Sequence, residues 1–254
     1  MDLSIVIPAF REAEKVARDV EAAGTFLVRE NLTGEIIVVD DGSPDDTKQA
    51  AERAEVPPGV ERRVIRYEPN RGKGYALRTG MSQTRGEVIM FADVGRCVPL
   101  DNALRGIEAI RNGECEIAHG SRKLPDSVLD RRQRLYRRIL SWLFRKVAGA
   151  WMGVPRRLTD TQCGFKIYRG DVGRELYAAC RTDGFMFDLE VLLRALQKGY
   201  RVTEFPVEWR CDRDSRLKPA RGAAKTFKEL RRIRREIHEE EAAAEEAVEV
   251  DDAS

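Results

Sequence analysis

Residues 36–46 read Ile-Ile-Val-Val-Asp-Asp-Gly-Ser-Pro-Asp-Asp. Four β-branched residues in a row suit a strand buried on both faces, and the run stops at two carboxylates and a glycine. Beyond them Ser43 can cap, Pro44 fits the first helical position and Asp46 the third, so the next helix is predicted to start at Ser43. Asp40 and Asp41 then stand at the carboxyl end of a strand, the edge of an open α/β sheet where ligands bind. Paired acids before a helix are also common caps, so the pair alone leaves both readings open.

Working outward, similar short runs occur at Ser4 to Ile7, Val64 to Tyr67 and Val88 to Ala92. Between them Val16, Val20, Ala23 and Leu27 recur at helical spacing, as do Leu77, Gly80 and Met81. Strand and helix alternate as β-α-β-α-β-α-β, the pattern of a mostly parallel sheet covered by helices. The second half is less regular. It offers a strand near Glu116 to His119, a basic amphipathic helix from about Leu135 to Met152, and a turn-rich stretch to Tyr168. A helix near Asp188 to Gln197, ended by Gly199, leads to a strand at Val202 to Phe205. From Ala223 the pattern is helical and charged, then fades into a Glu/Ala tail expected to be unstructured. The division is an α/β domain over 1–230, and a charged helical extension with an acidic tail over 231–254.

The 254 residues carry 45 Lys and Arg against 43 Asp and Glu, a formal charge of +2 that conceals segregation. Arginines crowd Arg131 to Arg157 and Arg201 to Arg235, whereas Glu239 to Asp252 is acidic. Five scattered cysteines without a C-x-x-C pair are read as reduced thiols of a cytoplasmic protein. Neither a signal-peptide pattern nor an apolar run of roughly 20 residues is present, so no membrane span is expected. With only His119 and His238, a mechanism built on several histidines is excluded.

Two further strand ends carry polar groups. Ser4 to Glu12 leaves its strand through a proline turn with Phe10 and Glu12 at the exit, parts suited to packing a base and holding a ribose. Val88 to Ala92 ends at Asp93, a carboxylate able to ligate a hard cation together with phosphate oxygens. The loop Asn70-Arg71-Gly72-Lys73-Gly74 offers glycines for close backbone approach and a Lys73 charge for a diphosphate, though it is not a Walker loop. In the basic helix, Leu135, Ile139, Trp142, Leu143, Val147 and Trp151 share a face among arginines. Such a helix suits the headgroup region of a bilayer, or packing on the domain with solvated arginines. No helix-turn-helix, zinc-finger or RNA-binding pattern supports nucleic acid as a partner.

In this order the segments resemble the family-2 glycosyltransferases of GT-A fold, above all the branch of dolichyl-phosphate mannose synthases and dolichyl-phosphate β-glucosyltransferases. The resemblance rests on V-I-P-A-F-R-E at Val6 to Glu12, V-V-D-D-G-S at Val38 to Ser43 and N-R-G-K-G at Asn70 to Gly74. G-S-R at Gly120 to Arg122, D-T-Q-C-G-F-K at Asp160 to Lys166 and G-F-M-F-D-L-E at Gly184 to Glu190 complete it, over Leu3 to Leu230. The cysteine of the fifth motif stands nearer the glucosyl branch.

The resemblance implies an α/β fold of the GT-A nucleotide-diphospho-sugar transferase type. It places Pro8, Ala9, Phe10, Glu12, Val39, Asp40, Asp41, Lys73, Asp93 and Val94 at nucleotide-sugar positions, with Asp93 holding Mg2+ or Mn2+. Asp93, Arg122, Arg137, Gln162 and Asp188 fall at catalytic positions, Phe165 in a cleft-lining motif, and Arg122, Arg137 and Arg216 where an acceptor phosphate is held. The implied reaction is inverting transfer of glucose or mannose from UDP-glucose or GDP-mannose to a polyprenyl or dolichyl phosphate. It implies a protein peripherally bound at the cytoplasmic membrane face, with a membrane-protein partner conceivable. Gly95 stands where the family's D-x-D has its second acid, which leaves two other readings in view: a silent nucleotide-sugar-binding protein, and a transferase acting on polysaccharide or protein.

Overall fold

A computed structural model of the chain describes residues 1–95, 97–129, 149, 151–210 and 223–252. Its seven-stranded sheet has the order β3-β2-β1-β4-β7-β5-β8. The strands are β1 (Leu3–Ala9), β2 (Gly34–Asp40), β3 (Glu61–Arg66), β4 (Val88–Ala92), β5 (Ile117–Ser121), β7 (Phe165–Arg169) and β8 (Val202–Pro206). A parallel pair, β6 (Val128–Leu129) with β9 (Glu208–Trp209), lies apart. The helices are α1 (Val16–Arg29), α2 (Thr47–Arg53), α3 (Lys73–Met81), α4 (Ala103–Arg111), α5 (Gly170–Ala179), α6 (Phe187–Gln197) and α7 (Ala223–Asp252).

β1 is central to the first half because both its faces are apolar. Ile5 and Ile7 face the layer formed with α1 and α4, while Val6 faces the layer of α3, α5 and α6. Its register pairs Ala9 with Asp40 and Ile5 with Met90, so the strands end together at their carboxyl edge. β7 runs antiparallel to both β4 and β5, making the sheet mixed. A third apolar cluster joins α6 to α7 through Met186, Leu189, Leu193, Leu230, Ile233 and Ile237. No helix among the described residues is long and apolar enough to cross a membrane.

Several expectations change. The helix after β2 starts at Thr47 rather than Ser43. The Ser43 hydroxyl instead accepts the backbone N–H of Arg11 at 2.9 Å, and its own N–H donates to Asp40 Oδ1 at 3.0 Å, so Ser43 ties two loops together. The stretch read as turn-rich up to Tyr168 contains β7, in mid-sheet. Its apolar run is interrupted by Lys166, which is wholly buried and neutralised by Asp188, a tertiary partner that strand patterning cannot foresee. β3 begins earlier than predicted, at Glu61, because its side chains are only half-buried and its charged start resembles loop. The helical course expected from Ala223 continues to Asp252, into the stretch whose composition gave no reason for regular structure. Nearly all of the basic helix predicted from Leu135 to Met152 lies outside the described residues, as do Arg137 and Arg216.

Candidate active site

The carboxyl edge gathers the ends of β1, β2 and β4. Residues after β1 are stitched to those after β2: Arg11 N–H donates to Ser43 as above, and Glu12 N–H donates to Thr47 Oγ1 at 2.8 Å. Phe10 is half-buried, with the Arg11 guanidinium 5.3 Å from its ring centre, and Glu12 lies 4.0 Å from Lys15. Pro8 and Ala9 form the end of β1. Ala9, Val39 and Val94 are buried in the apolar layers beneath the edge.

The paired acids are used internally. Asp40 is fully buried, accepting Ser43 N–H and Arg66 Nη1, the latter at 3.0 Å. Asp41 accepts the Tyr67 hydroxyl at 2.9 Å, Asn70 Nδ2 at 2.7 Å, and the backbone N–H groups of Arg71 and Gly72 at 2.7 and 2.9 Å. Two oxygens with four donors are close to saturation, so this carboxylate builds the loop that carries Lys73. The loop glycines serve the same packing. A Cβ on Gly74 would sit 2.2 Å from Thr182 O, and one on Gly72 would sit 2.5 Å from Asp183 O. Their smallness admits the 182–184 backbone, whereas the sequence reading had assigned it to a ligand.

Lys73 opens α3 and lays its ammonium 2.5 Å from Asp93 Oδ1, between the Phe91 and Phe187 rings. Burial disfavours its charge, but Asp93 and Asp188 outweigh that, and the Lys73 pKa is raised. Asp188 is buried against Lys166, which also donates to Thr161 O at 2.9 Å. Burial raises the Asp188 pKa in spite of the two lysines. The Asp93 carboxylate, 40% exposed, rests over Gly164, where a Cβ would lie 2.0 Å from its Oδ2.

Arg122 grips Asp160 with both arms of its fork, Nε to Oδ2 at 2.6 Å and Nη2 to Oδ1 at 2.8 Å. Burial works against the Asp160 charge, yet Arg122 prevails and holds its pKa below the usual carboxylate range. Glu204 fixes that turn by accepting the N–H groups of Thr159 and Asp160 at 2.8 and 2.7 Å. Gln162 is half-buried in the following turn. Phe165, expected at the cleft, is a core ring 6.3 Å from Phe205.

Gly95 has φ of +101° and donates its N–H to buried Asp19. Among the described residues no group of three or more His, Cys, Asp or Glu is placed to hold a metal ion. The edge fits a hard cation only through the single, partly exposed carboxylate of Asp93, with most ligands left to phosphate oxygens and water.

Glycosyl transferase family 2, as a family model, matches residues 4–176, which include the three strand ends, the Lys73 loop and Arg122. The chain belongs to this family. The glycosyltransferase is 30% identical over 227 residues to the Haloferax volcanii glycosyltransferase AglD, covering 85% of this chain but 34% of AglD. It thus spans about a third of that relative. It is also 30% identical over 230 residues to the Drosophila melanogaster dolichyl-phosphate beta-glucosyltransferase, covering 86% of this chain and 70% of that protein. The Saccharomyces cerevisiae protein of the same name is 29% identical over 248 residues, with 91% and 74% covered. A crystal structure of Mycobacterium tuberculosis glucosyl-3-phosphoglycerate synthase with Mg2+ and UDP shares the fold. Its TM-score is 0.64 at 18% identity, covering 93% of this chain and 76% of that one.

The glycosyltransferase therefore brings Phe10, Glu12, Asp40, Asp41, Lys73, Asp93, Arg122 and Asp188 to neighbouring strand and helix ends, while Arg137 and Arg216 lie outside the described residues. Sequence reasoning named neither Lys166 nor Asp160 as a site residue. Their signal was available, since they are the last and first residues of the D-T-Q-C-G-F-K motif, but their partners Asp188 and Arg122 are 22 and 38 residues away.

Proposed function

We propose that the glycosyltransferase moves a hexose from a nucleoside-diphosphate sugar, UDP-glucose in the first instance, to a polyprenyl-type lipid phosphate at a membrane surface. The carrying observation is the row Lys166, Asp188, Lys73, Asp93, in which a charged lysine is kept at the edge that holds a diphosphate in open α/β sheets. The names of the relatives that cover most of the chain support the choice of sugar and acceptor.

In this reading an oxygen of the acceptor phosphate bonds to the anomeric carbon as the bond from that carbon to the nucleoside diphosphate breaks, its electron pair leaving on the diphosphate. A phosphate is already ionised near neutral pH, so little general-base help is required. The protein's part is to orient the reactants and stabilise the departing charge. Lys73 supplies a fixed positive charge because Asp93 and Asp188 keep it protonated. Arg122, held by Asp160, presents the rest of its guanidinium as a positioned phosphate contact. Asp93 would hold Mg2+ or Mn2+ together with donor phosphate oxygens, and that ion supplies further charge to the leaving group.

Purified protein is incubated with radiolabelled UDP-glucose or GDP-mannose and a polyprenyl phosphate, and label in the organic-extractable fraction is counted. Label from UDP-glucose alone is the expected result. Label from GDP-mannose alone reassigns the donor, and label in neither, with transfer to a polysaccharide or protein acceptor, overturns the lipid-phosphate reading.

A further inference from the structure

The first half of α7 carries two sets of residues on different faces. Leu230, Ile233 and Ile237 pack against Met186, Leu189 and Leu193, fixing the helix on α6. Phe227, Arg231, Arg234 and His238 follow one another at steps of three and four residues and so share another face, flanked by Lys228 and Arg235. Phe227 is 55% exposed, and Lys228, Arg231 and Arg235 are exposed. Of the acids of this stretch, Glu240 pairs with Arg194 and Glu229 lies beside Gly184, while Glu236 and Glu239 pair with Arg232 and Arg235 at 3.8 and 3.6 Å. Trp151 stacks flat on Phe227, with centroids 5.5 Å apart and planes 7° from parallel, and Arg234 lies 5.3 Å from the Trp151 ring.

The pairs Arg232–Glu236 and Arg235–Glu239 support the helix, but the order of charge along it does not. From Glu236 to Asp252 every charged residue is acidic, so the bases precede the acids along α7. A helix macrodipole favours the opposite order. Nor does the core account for Phe185, 55% exposed on the loop that leads into α6 and Asp188. That loop follows Asp183, whose carbonyl accepts Gly74 N–H at 2.8 Å, so Phe185 lies near the loop carrying Lys73.

We propose that the face of Phe227, Lys228, Arg231, Arg234 and Arg235, together with Trp151 and Phe185, seats on the surface of an anionic phospholipid bilayer. The aromatic rings enter the headgroup region and the cations meet lipid phosphates, a division of labour suited to interfacial helices. The acidic end of α7 is repelled by the same surface, which orients the helix. Resting on the lipid-phosphate reading above, this places the Lys73 and Asp188 loops next to the leaflet from which an acceptor would enter.

Flotation with phosphatidylcholine vesicles, with and without phosphatidylserine and with no donor or acceptor added, tests the surface alone. The protein is expected to bind only the anionic vesicles and to be released by salt. Each surface cation contributes about fivefold to such binding, so Lys228→Gln with Arg231→Gln weakens it about 25-fold. Phe227→Ser weakens binding to the same vesicles with the melting temperature unchanged. Equal binding to neutral and anionic vesicles, or retained binding in the double variant, overturns the proposal. So does a salt-sensitive dimer dissolved by these substitutions, or tighter binding to single-stranded RNA than to vesicles. Transfer of label to lipid phosphate presented in detergent is read separately. Its absence in the natural protein strikes the proposed function, whereas its survival in the double variant leaves that function intact while vesicle binding is lost.

Discussion

Asp41 offers its carboxylate to four donors from Tyr67, Asn70, Arg71 and Gly72, leaving little acceptor capacity for a nucleobase. Asp41→Asn replaces a charged acceptor with an amide whose N–H2 opposes one backbone and one side-chain donor, and should cost about 2 kcal/mol of stability. Donor affinity should fall with it because the Lys73 loop loosens. Calorimetric titration with UDP and GDP, beside thermal melts, reads both, and unchanged melting with lost affinity would return Asp41 to direct ligand contact. At Gly164 the effect is local, since a methyl group there meets the Asp93 carboxylate. Gly164→Ala should expel Asp93 from Lys73 and lower kcat at least tenfold, about 1.4 kcal/mol in the barrier. Because Asp93 is partly exposed, the melting temperature should shift little.

At the scale of the element, the turn after β4 is set by Gly95 at φ of +101°, its N–H held by Asp19. Restoring the family's second acid with Gly95→Asp places a side chain in a conformation that costs about 1–2 kcal/mol outside glycine. The variant should melt lower, by about 2 to 4 °C per kcal/mol in a chain of this size, without gaining turnover in Mg2+ or Mn2+. Higher turnover at low cation concentration would show that the turn adapts to a second ligand. α7 depends on Ile233, wholly buried against α6. Ile233→Asp buries an unpaired charge and should destabilise the protein by about 4 kcal/mol, seen in urea unfolding.

Across the whole molecule, buried carboxylates paired with arginine set the response to acid. Burial opposes their charge, but Ser4, Arg85 and Arg63 lower the Glu35 pKa, Thr182 with Arg181 and Arg194 lowers that of Glu190, and Arg122 lowers that of Asp160. A carboxyl with a lower pKa in the folded state binds more protons when unfolded. The stability it contributes is present above the ordinary carboxylate range and lost as pH falls through the folded value. Arg201 likewise lowers the pKa of Glu116, and Asp188, whose pKa burial raises, acts oppositely but is outnumbered. Buried His119, its pKa pushed well below the ordinary imidazole value by burial and by Lys166, adds to this loss in acid, so urea midpoints should slope down from about pH 6.5 and fall steeply below about pH 4. Glu35→Gln should flatten part of that fall, and an unchanged profile would remove Glu35 from the account.

The sequence by itself determined the alternation of strands and helices in the first half, the carboxyl edge where the acids gather, and the family, because β-branched runs, helical spacing and six short motifs are local signals. Asp40, Asp41 and Asp93 at strand ends were legible for the same reason. Tertiary structure alone decided what those acids do. Asp41 answers donors about thirty residues away, Asp93 answers a lysine twenty residues back, and Ser43 serves a loop from the preceding strand instead of its own helix. It also decided that β7, broken by a lysine, belongs in mid-sheet, because the Asp188 that neutralises Lys166 arrives from another helix. Periodicity records which face of an element is apolar, whereas a buried charge is tolerated only where a distant partner meets it, and that meeting is a property of the folded chain.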